Sequence, residues 1–441
     1  MTTRLSDDAA ALPKKSGDTG SVTLSGLATY GVMAFPLAFA GLPIYLHAPD
    51  FYAVTLQQPV ATLGAILLAL RLFDAIQDPF IGSLSDRFHQ WRGTVLALGA
   101  ILLGVGFWML FHPWKEAPLV WFAASVLICT TGYSVVTINY QTLGGLWKTS
   151  ASDRTPVTAA REGFGLAGLL IASVLPAALA TRTGIETAFL YVTLGYLPLL
   201  AISLWLLLRW MRSAPLENPQ TAGPVMGWWT LLRSRWRRLF FGLLFVNILA
   251  SAIPAVLVLF FIRDRLGAES YTGLFLLVYF LSGVISMPLW TRLARHFGKV
   301  RAWQMSLAGA IFTFCWAALL GEGDLTAYAF VCALSGLALG ADLALPPAIL
   351  ADHIDTDRRQ GEASRLFAIM AFLSKSGLAL ATGLTLPLLG LFGYQPGTAL
   401  TAQLGFLLSL TYAGVPCLIK LCALLCLIAF EKDLTQEKPA G

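Results

Sequence analysis

The chain has 441 residues, of which 57% are hydrophobic and 12% are charged, and its mean hydropathy is +0.71. A soluble protein carries about twice that charged fraction, so the composition excludes an ordinary soluble protein and predicts a chain embedded in lipid. The formal net charge of +6 comes from basic residues spread over many short loops, which does not indicate a nucleic acid partner. The sequence has no G-x-x-x-x-G-K-[ST] phosphate loop and no nucleophile–base or metal motif, which argues against an ATP-driven pump and against an enzyme.

Twelve apolar runs of membrane-spanning length follow a polar N-terminal tail at 1–23. Each run approaches or exceeds the roughly 20 residues that cross a lipid core as a helix. The sequence therefore predicts an all-α polytopic membrane protein with twelve transmembrane helices. The runs are placed at 24–46, 56–84, 94–112, 117–144, 158–181, 186–208, 239–263, 269–292, 301–320, 325–352, 364–391 and 403–430.

Lysine and arginine are distributed unevenly between the two sides of these runs. The tails and the even-numbered loops hold most of them, whereas the odd-numbered loops hold only Lys115, Arg182, Arg263 and Arg265. Basic residues stay on the cytoplasmic side of a membrane protein. This asymmetry predicts that both termini are cytoplasmic.

The order of the runs predicts two six-helix halves, 24–208 and 239–430, joined by a cytoplasmic linker at 209–238 and followed by a cytoplasmic tail at 431–441. The halves resemble each other in their loops. Such parallel repeats are the layout of the major facilitator fold, in which two pseudo-symmetric halves enclose the substrate site at their interface.

One pair of matching loops shows the repeat most clearly. Arg154 stands seven residues before Arg161 at the start of the fifth run, and Arg358 stands seven residues before Arg365 at the start of the eleventh. Charges in these loops are predicted to form cytoplasmic ion pairs that close an inward gate, with a purely orienting role as the alternative. The predicted gating residues are Asp86, Arg87, Arg92, Asp153, Arg154, Arg292, Arg295, Asp357, Arg358 and Arg365.

The second run carries two carboxylates at membrane depth. Asp74 and Asp78 are four residues apart and share one helical face with Gln77. An ionised group in the bilayer centre costs at least ~2.5–3.5 kcal/mol, so these residues predict a translocation site rather than a packing role. Two carboxylates and an amide suit Na⁺, and repulsion between them also suits a carried proton. A static pair neutralised by Arg71 is the alternative.

Asp342 and Lys375 lie at the same predicted depth, about 15 Å from the cytoplasmic ends of runs ten and eleven. Unpaired, each is costly in lipid. We predict that they form an ion pair in at least one state, and that Lys375 turns towards Asp74, Asp78 or the substrate in another. Lys420, in run twelve, has no evident partner in the sequence and is predicted to be a packing or snorkelling lysine.

The stretch R-L-F-D-A-I-Q-D-P-F-I-G-S-L-S-D-R at Arg71–Arg87 resembles the helix-two signature of the glycoside–pentoside–hexuronide:cation symporters, the melibiose-permease-like branch of the major facilitator superfamily. Segments within 139–161, 350–377 and 393–397 are similar to that family in the same order. The resemblance implies H⁺- or Na⁺-coupled symport of a small polar solute, such as a sugar or glycoside, by alternating access. It also implies a monomer in the bacterial inner membrane with no cofactor and no metal other than Na⁺.

The resemblance assigns a role to individual positions. Asp74, Gln77 and Asp78 match the cation site, with Gln77 in place of an asparagine. Tyr140 matches a sugar-stacking aromatic residue, Arg161 a helix-five arginine and Lys375 a helix-eleven lysine. Together with Asp342 these are the predicted substrate-binding residues, and a gating role is the alternative for Arg161, which lies near the cytoplasmic end of its run. The helix-one aspartate that holds the sugar in melibiose permease is replaced by Ala38, which argues against a galactoside substrate. The helix-four aspartate is replaced by Val136, which removes anionic oxygens and, with the longer Gln77, favours H⁺ over Na⁺.

Two other functions fit the same sequence. Apolar replacements such as Ala38 and Val136 suit a lysophospholipid carrier of the same fold. A membrane sensor or scaffold without transport is the other alternative, but it gains nothing from ionisable side chains at mid-depth. Lipid uptake, or ligand binding without uptake, distinguishes these from a solute symporter.

Overall fold

A computed structural model describes residues 23–217, 231–356, 360–394 and 401–435. In these ranges the regular structure is helical, apart from one isolated bridge between Trp147 and Leu216. Eleven of the described helices are long and apolar enough to cross a membrane. The prediction of an all-α, multi-pass membrane protein is therefore confirmed.

Twelve membrane-crossing helices, α1 to α12, follow one another in the described ranges, and a short helix α13 ends them. They are α1 Leu24–Val54, α2 Val60–Arg87, α3 Arg92–Phe111, α4 Pro118–Gly145, α5 Ala151–Thr183, α6 Ile185–Ser213, α7 Arg235–Phe260, α8 Thr272–Phe297, α9 Lys299–Phe314, α10 Leu325–Thr356, α11 Ala363–Leu391, α12 Ala402–Ala429 and α13 Glu431–Thr435.

Of these twelve helices, α2 is the one whose composition is not apolar enough to identify it as a membrane-spanning helix. It has 28 residues and is therefore about 42 Å long, which is ample for a lipid core of ~30 Å. Its apolar character is lowered by Arg71, Asp74 and Asp78 in its middle. The polar residues that weaken the membrane signal are thus the predicted site itself.

Two helices are interrupted by a wider π-helical turn. In α1 it covers Pro43–His47, and in α12 it covers Leu410–Gly414, two residues before Pro416. Proline lacks a backbone N–H and cannot complete a regular helical ladder. π turns of this kind are often found at functional sites.

Each half of the bundle has its own core. Tyr30, Phe107 and Tyr196 belong to a buried cluster built from the first six helices, whereas Trp303 and Tyr328 belong to two clusters built almost wholly from the last six. A small cluster of buried residues, with side chains from α5, α8 and α10, joins the two, and Leu146, directly after α4, belongs to a cluster of the C-terminal half. Such an arrangement suits two bodies that rock against each other. The predicted domain boundaries stay predictions, and linker residues 218–230 lie outside the described ranges.

Helices α2 and α11 approach each other most closely at Gly82. A Cβ atom on Gly82 would lie 2.5 Å from Cβ of Ala368 and 3.0 Å from the backbone oxygen of Ser364, so only glycine allows this approach. We call this end of the bundle, where α2 ends and α11 begins, the basic side, and the opposite end the outer side. That the basic side faces the cytoplasm remains a prediction from loop charge.

Candidate functional site

Three ionised side chains from both halves meet halfway along the bundle. Nζ of Lys375 on α11 lies 2.8 Å from Oδ2 of Asp74 and 2.8 Å from Oδ1 of Asp78, both on α2. At a rise of 1.5 Å per residue these side chains lie about 14–20 Å from the basic ends of their helices. Lys375 therefore joins the two halves at the depth where alternating-access carriers bind their cargo.

A polar shell from α4 completes this cluster. Ser134 accepts from Nζ of Lys375 at 2.8 Å and donates to Oδ1 of Asp74 at 3.0 Å. Gln77 donates to the same Oδ1 at 2.8 Å, and Thr131 donates to Oε1 of Gln77 at 3.0 Å. Both oxygens of Asp74 therefore have donors.

Asp78 differs from Asp74 in having one unused oxygen. Its side chain is fully buried, and Oδ2 has no hydrogen-bond partner in the described structure. A buried polar oxygen without a partner is costly and rare in native proteins. This oxygen is the natural acceptor for a proton or a small cation, and it lies beside the Asp74–Lys375 ion pair.

Arg71 does not neutralise the carboxylates. Its guanidinium lies 4.5 Å above the ring of Tyr45, and the described residues record no ion pair for it. The alternative of a static cluster held by Arg71 is therefore wrong for this conformation, because Lys375 occupies that position.

A second charged cluster lies wholly within the C-terminal half. Oδ2 of Asp342 on α10 accepts from Lys420 on α12 at 2.9 Å, and its Oδ1 accepts from the indole N–H of Trp303 on α9 at 3.1 Å. Lys420 also donates to Asn247 on α7 at 2.7 Å. Four helices of one half are thus joined through a single carboxylate.

This cluster corrects one expectation. Lys420 was predicted to be a packing or snorkelling lysine, but its ammonium lies between Asp342 and Asn247. The Asp342–Lys375 pair, predicted for at least one state, is not formed in this conformation, in which Lys375 contacts Asp74 and Asp78 as predicted for another state. Sequence spacing placed both residues at the right depth, but depth alone does not say which helices are neighbours.

Tyr140 and Arg161 lie together in the N-terminal half. The Tyr140 side chain is 1% exposed, and its hydroxyl donates to the backbone oxygen of Tyr30 at 2.8 Å. Arg161 is also buried, and its Nε donates to Oε1 of Glu162 at 2.8 Å. In this conformation the predicted sugar-stacking ring is thus part of the packing, and Glu162 is the member of the group that reaches open space.

One set of contacts across the halves lies at the start of α11. The carboxylate of Asp86, at the end of α2, accepts from the backbone N–H of Ser364 at 2.9 Å and of Arg365 at 3.1 Å. It also pairs with the Arg365 side chain at 3.1 Å, and Arg92 donates to the Ser364 hydroxyl at 3.1 Å. A negative charge is favourable at a helix N-terminus, so Asp86 caps a helix of the opposite half.

A second set joins α5 to the end of α10. Arg154 lies 3.2 Å from Asp352 and 2.7 Å from Asp355, and it donates to the backbone oxygen of Ala351 at 2.6 Å. A positive charge is favourable at a helix C-terminus. Arg295 on α8 pairs with Asp153 at 3.2 Å, on the same side of the bundle.

The remaining gating predictions have different outcomes. Arg87 and Arg292 are exposed, and the described residues record no ion pair for either. Asp357 and Arg358 lie outside the described residues. In the described structure, the ion pairs that join the halves lie on the basic side or at Lys375, and Thr158 on α5 adds a hydrogen bond to the backbone oxygen of Ala344 on α10 at 2.7 Å. The bundle is therefore closed on its basic side.

Several partners were not predicted from the sequence. Ser134 and Thr131 are ordinary small polar residues in an apolar run, with no signal that separates them from others. Lys420 carried a signal, because a charge inside an apolar run needs a partner. Glu162 gave no separate signal, because the adjacent Arg161 can neutralise its charge.

A bundle of twelve membrane-crossing helices in two cored halves, with ionisable side chains at their junction, defines a secondary transporter of the rocking type. A family model described as MFS/sugar transport protein matches residues 27–433. The chain belongs to this family of the major facilitator superfamily, which is a transporter family and not an enzyme family.

Two named relatives are each 24% identical to this chain over the aligned residues. The Bacillus subtilis (strain 168) protein "Uncharacterized symporter YjmB" is 24% identical over 375 residues, which is 78% of each chain. The Escherichia coli (strain K12) protein "Inner membrane symporter YicJ" is 24% identical over 257 residues, which is 56% of this chain and 55% of that protein. These similarities agree with the family.

Solved structures share the fold. The E. coli fucose:proton symporter FucP has a TM-score of 0.67 at 14% identity, covering 94% of this chain and 99% of that chain. An outward-facing bacterial homologue of the iron transporter ferroportin has a TM-score of 0.68 at 16% identity, covering 92% and 99%. At such identities the likeness shows the major facilitator fold alone.

Proposed function

We propose that this protein is a cation-coupled symporter that moves a small polar solute of the sugar class across the membrane by alternating access. The observation that supports it is the Asp74–Lys375–Asp78 cluster, which joins the two halves and leaves Oδ2 of Asp78 without a partner. Symporters among the named relatives and the sugar-transport family model support the same function.

The charge of the cluster explains how a cation would act. Two carboxylates and one ammonium leave a net charge of −1 when all are ionised. A monovalent cation at Oδ2 of Asp78 neutralises this charge and weakens the attraction of the Asp78 carboxylate for Lys375. Lys375 then keeps only its pair with Asp74, which loosens a link between the halves and couples cation binding to the change of conformation.

Both H⁺ and Na⁺ suit the oxygens available. Carboxylate oxygens from Asp74 and Asp78, with the oxygens of Gln77 and Ser134, are hard ligands. Val136 supplies no further carboxylate, since it is fully buried on α4 with its side chain towards Gly99 of α3. We therefore propose H⁺ as the favoured coupling ion, treated as cargo, with no resident cofactor.

The test uses purified protein in proteoliposomes and a panel of radiolabelled neutral hexoses, pentoses and glycosides. Uphill uptake driven by an imposed H⁺ or Na⁺ gradient, and abolished by the matching ionophore, supports the proposal. Na⁺ stimulation at constant pH, unaffected by a protonophore, reverses the choice of ion. No gradient-driven uptake of any sugar overturns the proposed substrate class.

The same preparation distinguishes the alternatives. Uptake of a lysophospholipid instead of a sugar indicates a lipid carrier, and cation-dependent binding without uptake indicates a sensor. The site residues come from a single chain, so we propose that the monomer transports. We also propose a location in the bacterial inner membrane, which the printed name of the E. coli relative supports.

A further inference from the structure

We propose that Glu162 is a specificity-determining residue that accepts hydrogen bonds from hydroxyl groups of the transported solute. This inference rests on the proposed function and adds to it a residue and a chemical preference. It predicts that the substrate is a neutral polyhydroxy compound rather than an organic anion.

The two oxygens of Glu162 have different surroundings. Both Nε and one terminal nitrogen of Arg161 converge on Oε1, at 2.8 and 2.5 Å. The described residues give Oε2 no hydrogen-bond partner, and the Glu162 side chain is 23% exposed whereas that of Arg161 is 5% exposed. Arg161 therefore holds the carboxylate in place, while the second oxygen remains open to a donor from solution.

The depth of Glu162 is right for a contact with cargo. It lies about 16 Å from the basic end of α5, at the level of Asp78 and Lys375. Ala159 and Leu166, one helical turn to either side of Glu162, pack with Met287 and Ala344 of the other half. Glu162 therefore lies on the face of α5 that meets the opposite half.

The residues beside this carboxylate are small. Gly165 is one helical turn from Glu162, and a Cβ atom on it would be in ordinary contact, at 3.8 Å, with Cβ of Ala34 and of Ala38 on α1. Ala38 is half-buried, so α1 presents a methyl group rather than a bulky side chain at this level. The open oxygen of Glu162 suits a hydroxyl group, because a carboxylate only accepts hydrogen bonds.

Charge decides which solutes fit. Arg161 and Asp342 are each neutralised by a neighbour, Glu162 and Lys420. Neither pair offers a free positive charge to a carboxylate or phosphate of a substrate. The open oxygen of Glu162 accepts hydrogen bonds and offers no donor to such an anion, so a neutral polyol is favoured.

The experiment compares Glu162→Gln with the wild type in proteoliposomes, first on the sugar panel and then on single-deoxy analogues of the transported sugar. Loss of a hydrogen bond to a charged acceptor weakens binding on the order of tenfold to a hundredfold. We expect Glu162→Gln to bind the parent sugar more weakly than the wild type by this factor. The one analogue that lacks the hydroxyl group bound by Glu162 should bind equally well to the variant and to the wild type. Glu162→Asp keeps the charge, so it should restore part of the affinity.

Controls separate recognition from folding. Glu186, an exposed carboxylate at the outer start of α6, is the matched control, and Glu186→Gln should behave as the wild type. Thermal stability and expression are measured for every variant. If Glu162→Gln does not fold, Glu162→Asp is compared on the same analogues, because its shorter reach should still weaken the parent sugar more than that one analogue.

The outcomes are distinct. Equal losses for the parent sugar and for every analogue, or no loss at all, overturn the inference and leave Glu162 as a structural partner of Arg161 while the symport function stands. Selective transport of an anionic sugar in preference to its neutral form also overturns it. Failure of the wild type to transport any sugar overturns both this inference and the proposed substrate class.

Discussion

Two clusters of buried charge lie at nearly the same depth but differ in what they connect. Lys375 reaches from α11 to Asp74 and Asp78 on α2, so its ion pairs cross the boundary between the halves. Lys420 pairs with Asp342 inside the C-terminal half, which keeps both partners on one body.

The clusters also differ in whether every carboxylate oxygen accepts a hydrogen bond. Both oxygens of Asp342 have donors, whereas Oδ2 of Asp78 has none. A saturated cluster within one half can move as a unit, but a link across the halves must break when the halves rock. We infer that the first cluster carries the coupling chemistry and that the second holds four helices together.

The largest expected effect is the loss of coupling in Asp78→Asn. The amide cannot carry a proton or attract a cation as the carboxylate does, so accumulation against a gradient should fall to simple equilibration. Exchange of sugar across the membrane should survive, because it needs no release of the cation. Asp342→Asn is the comparison, and it should keep coupling in the fraction that folds. Uphill accumulation by Asp78→Asn would remove α2 from the mechanism.

The next effect is on stability, in the C-terminal cluster. Removing one partner of a buried ion pair costs ~3–5 kcal/mol, whereas replacing both can be nearly neutral. We expect Asp342→Asn and Lys420→Met each to lower the unfolding temperature strongly, and the double variant to recover most of it. Thermal unfolding in detergent measures this cycle. Additive single effects would show that the two residues do not interact.

A smaller effect is expected at the contact between Asp86 and the start of α11. Asp86→Asn weakens charged hydrogen bonds, each worth about 1.5–3 kcal/mol, and should shift the population towards a conformation open on the basic side. Spin labels at Thr183→Cys and Leu391→Cys, at the outer ends of α5 and α11, would report shorter distances. An unchanged distance distribution would mean that Asp86 only orients the helix.

The smallest effect is expected at an exposed pair within one half. Arg301 pairs with Glu431 of α13 at 2.7 Å, and hydrogen bonds from Arg301 and Gln304 lower the pKa of Glu431. The small contribution of this ion pair to the free energy of unfolding is present at neutral pH and is lost as the pH falls through the lowered pKa of Glu431. Glu431→Gln should therefore leave transport unchanged and alter stability by less than about 1 kcal/mol. A loss as large as that of Lys420→Met would contradict the distinction between exposed and buried pairs.

Much of the site was predictable because lipid makes charge expensive. Asp74, Asp78 and Lys375 stood out in apolar runs, and the four-residue spacing placed the two carboxylates on one helical face. The gating pairs were predicted as a group from loop charge, and six of the predicted residues lie in contacts between the halves: Asp86, Arg92, Asp153, Arg154, Arg295 and Arg365.

The sequence by itself determined the number of helices, the class of protein and the depth of Asp74, Asp78, Asp342 and Lys375, because hydrophobic length and helical rise are local properties. Only the tertiary structure decided the partners. Asp342 pairs with Lys420 and not with Lys375, since helix packing sets which faces meet. It also decided that Tyr140 is buried and that Glu162 keeps an open oxygen, because exposure depends on neighbours that are distant in the chain.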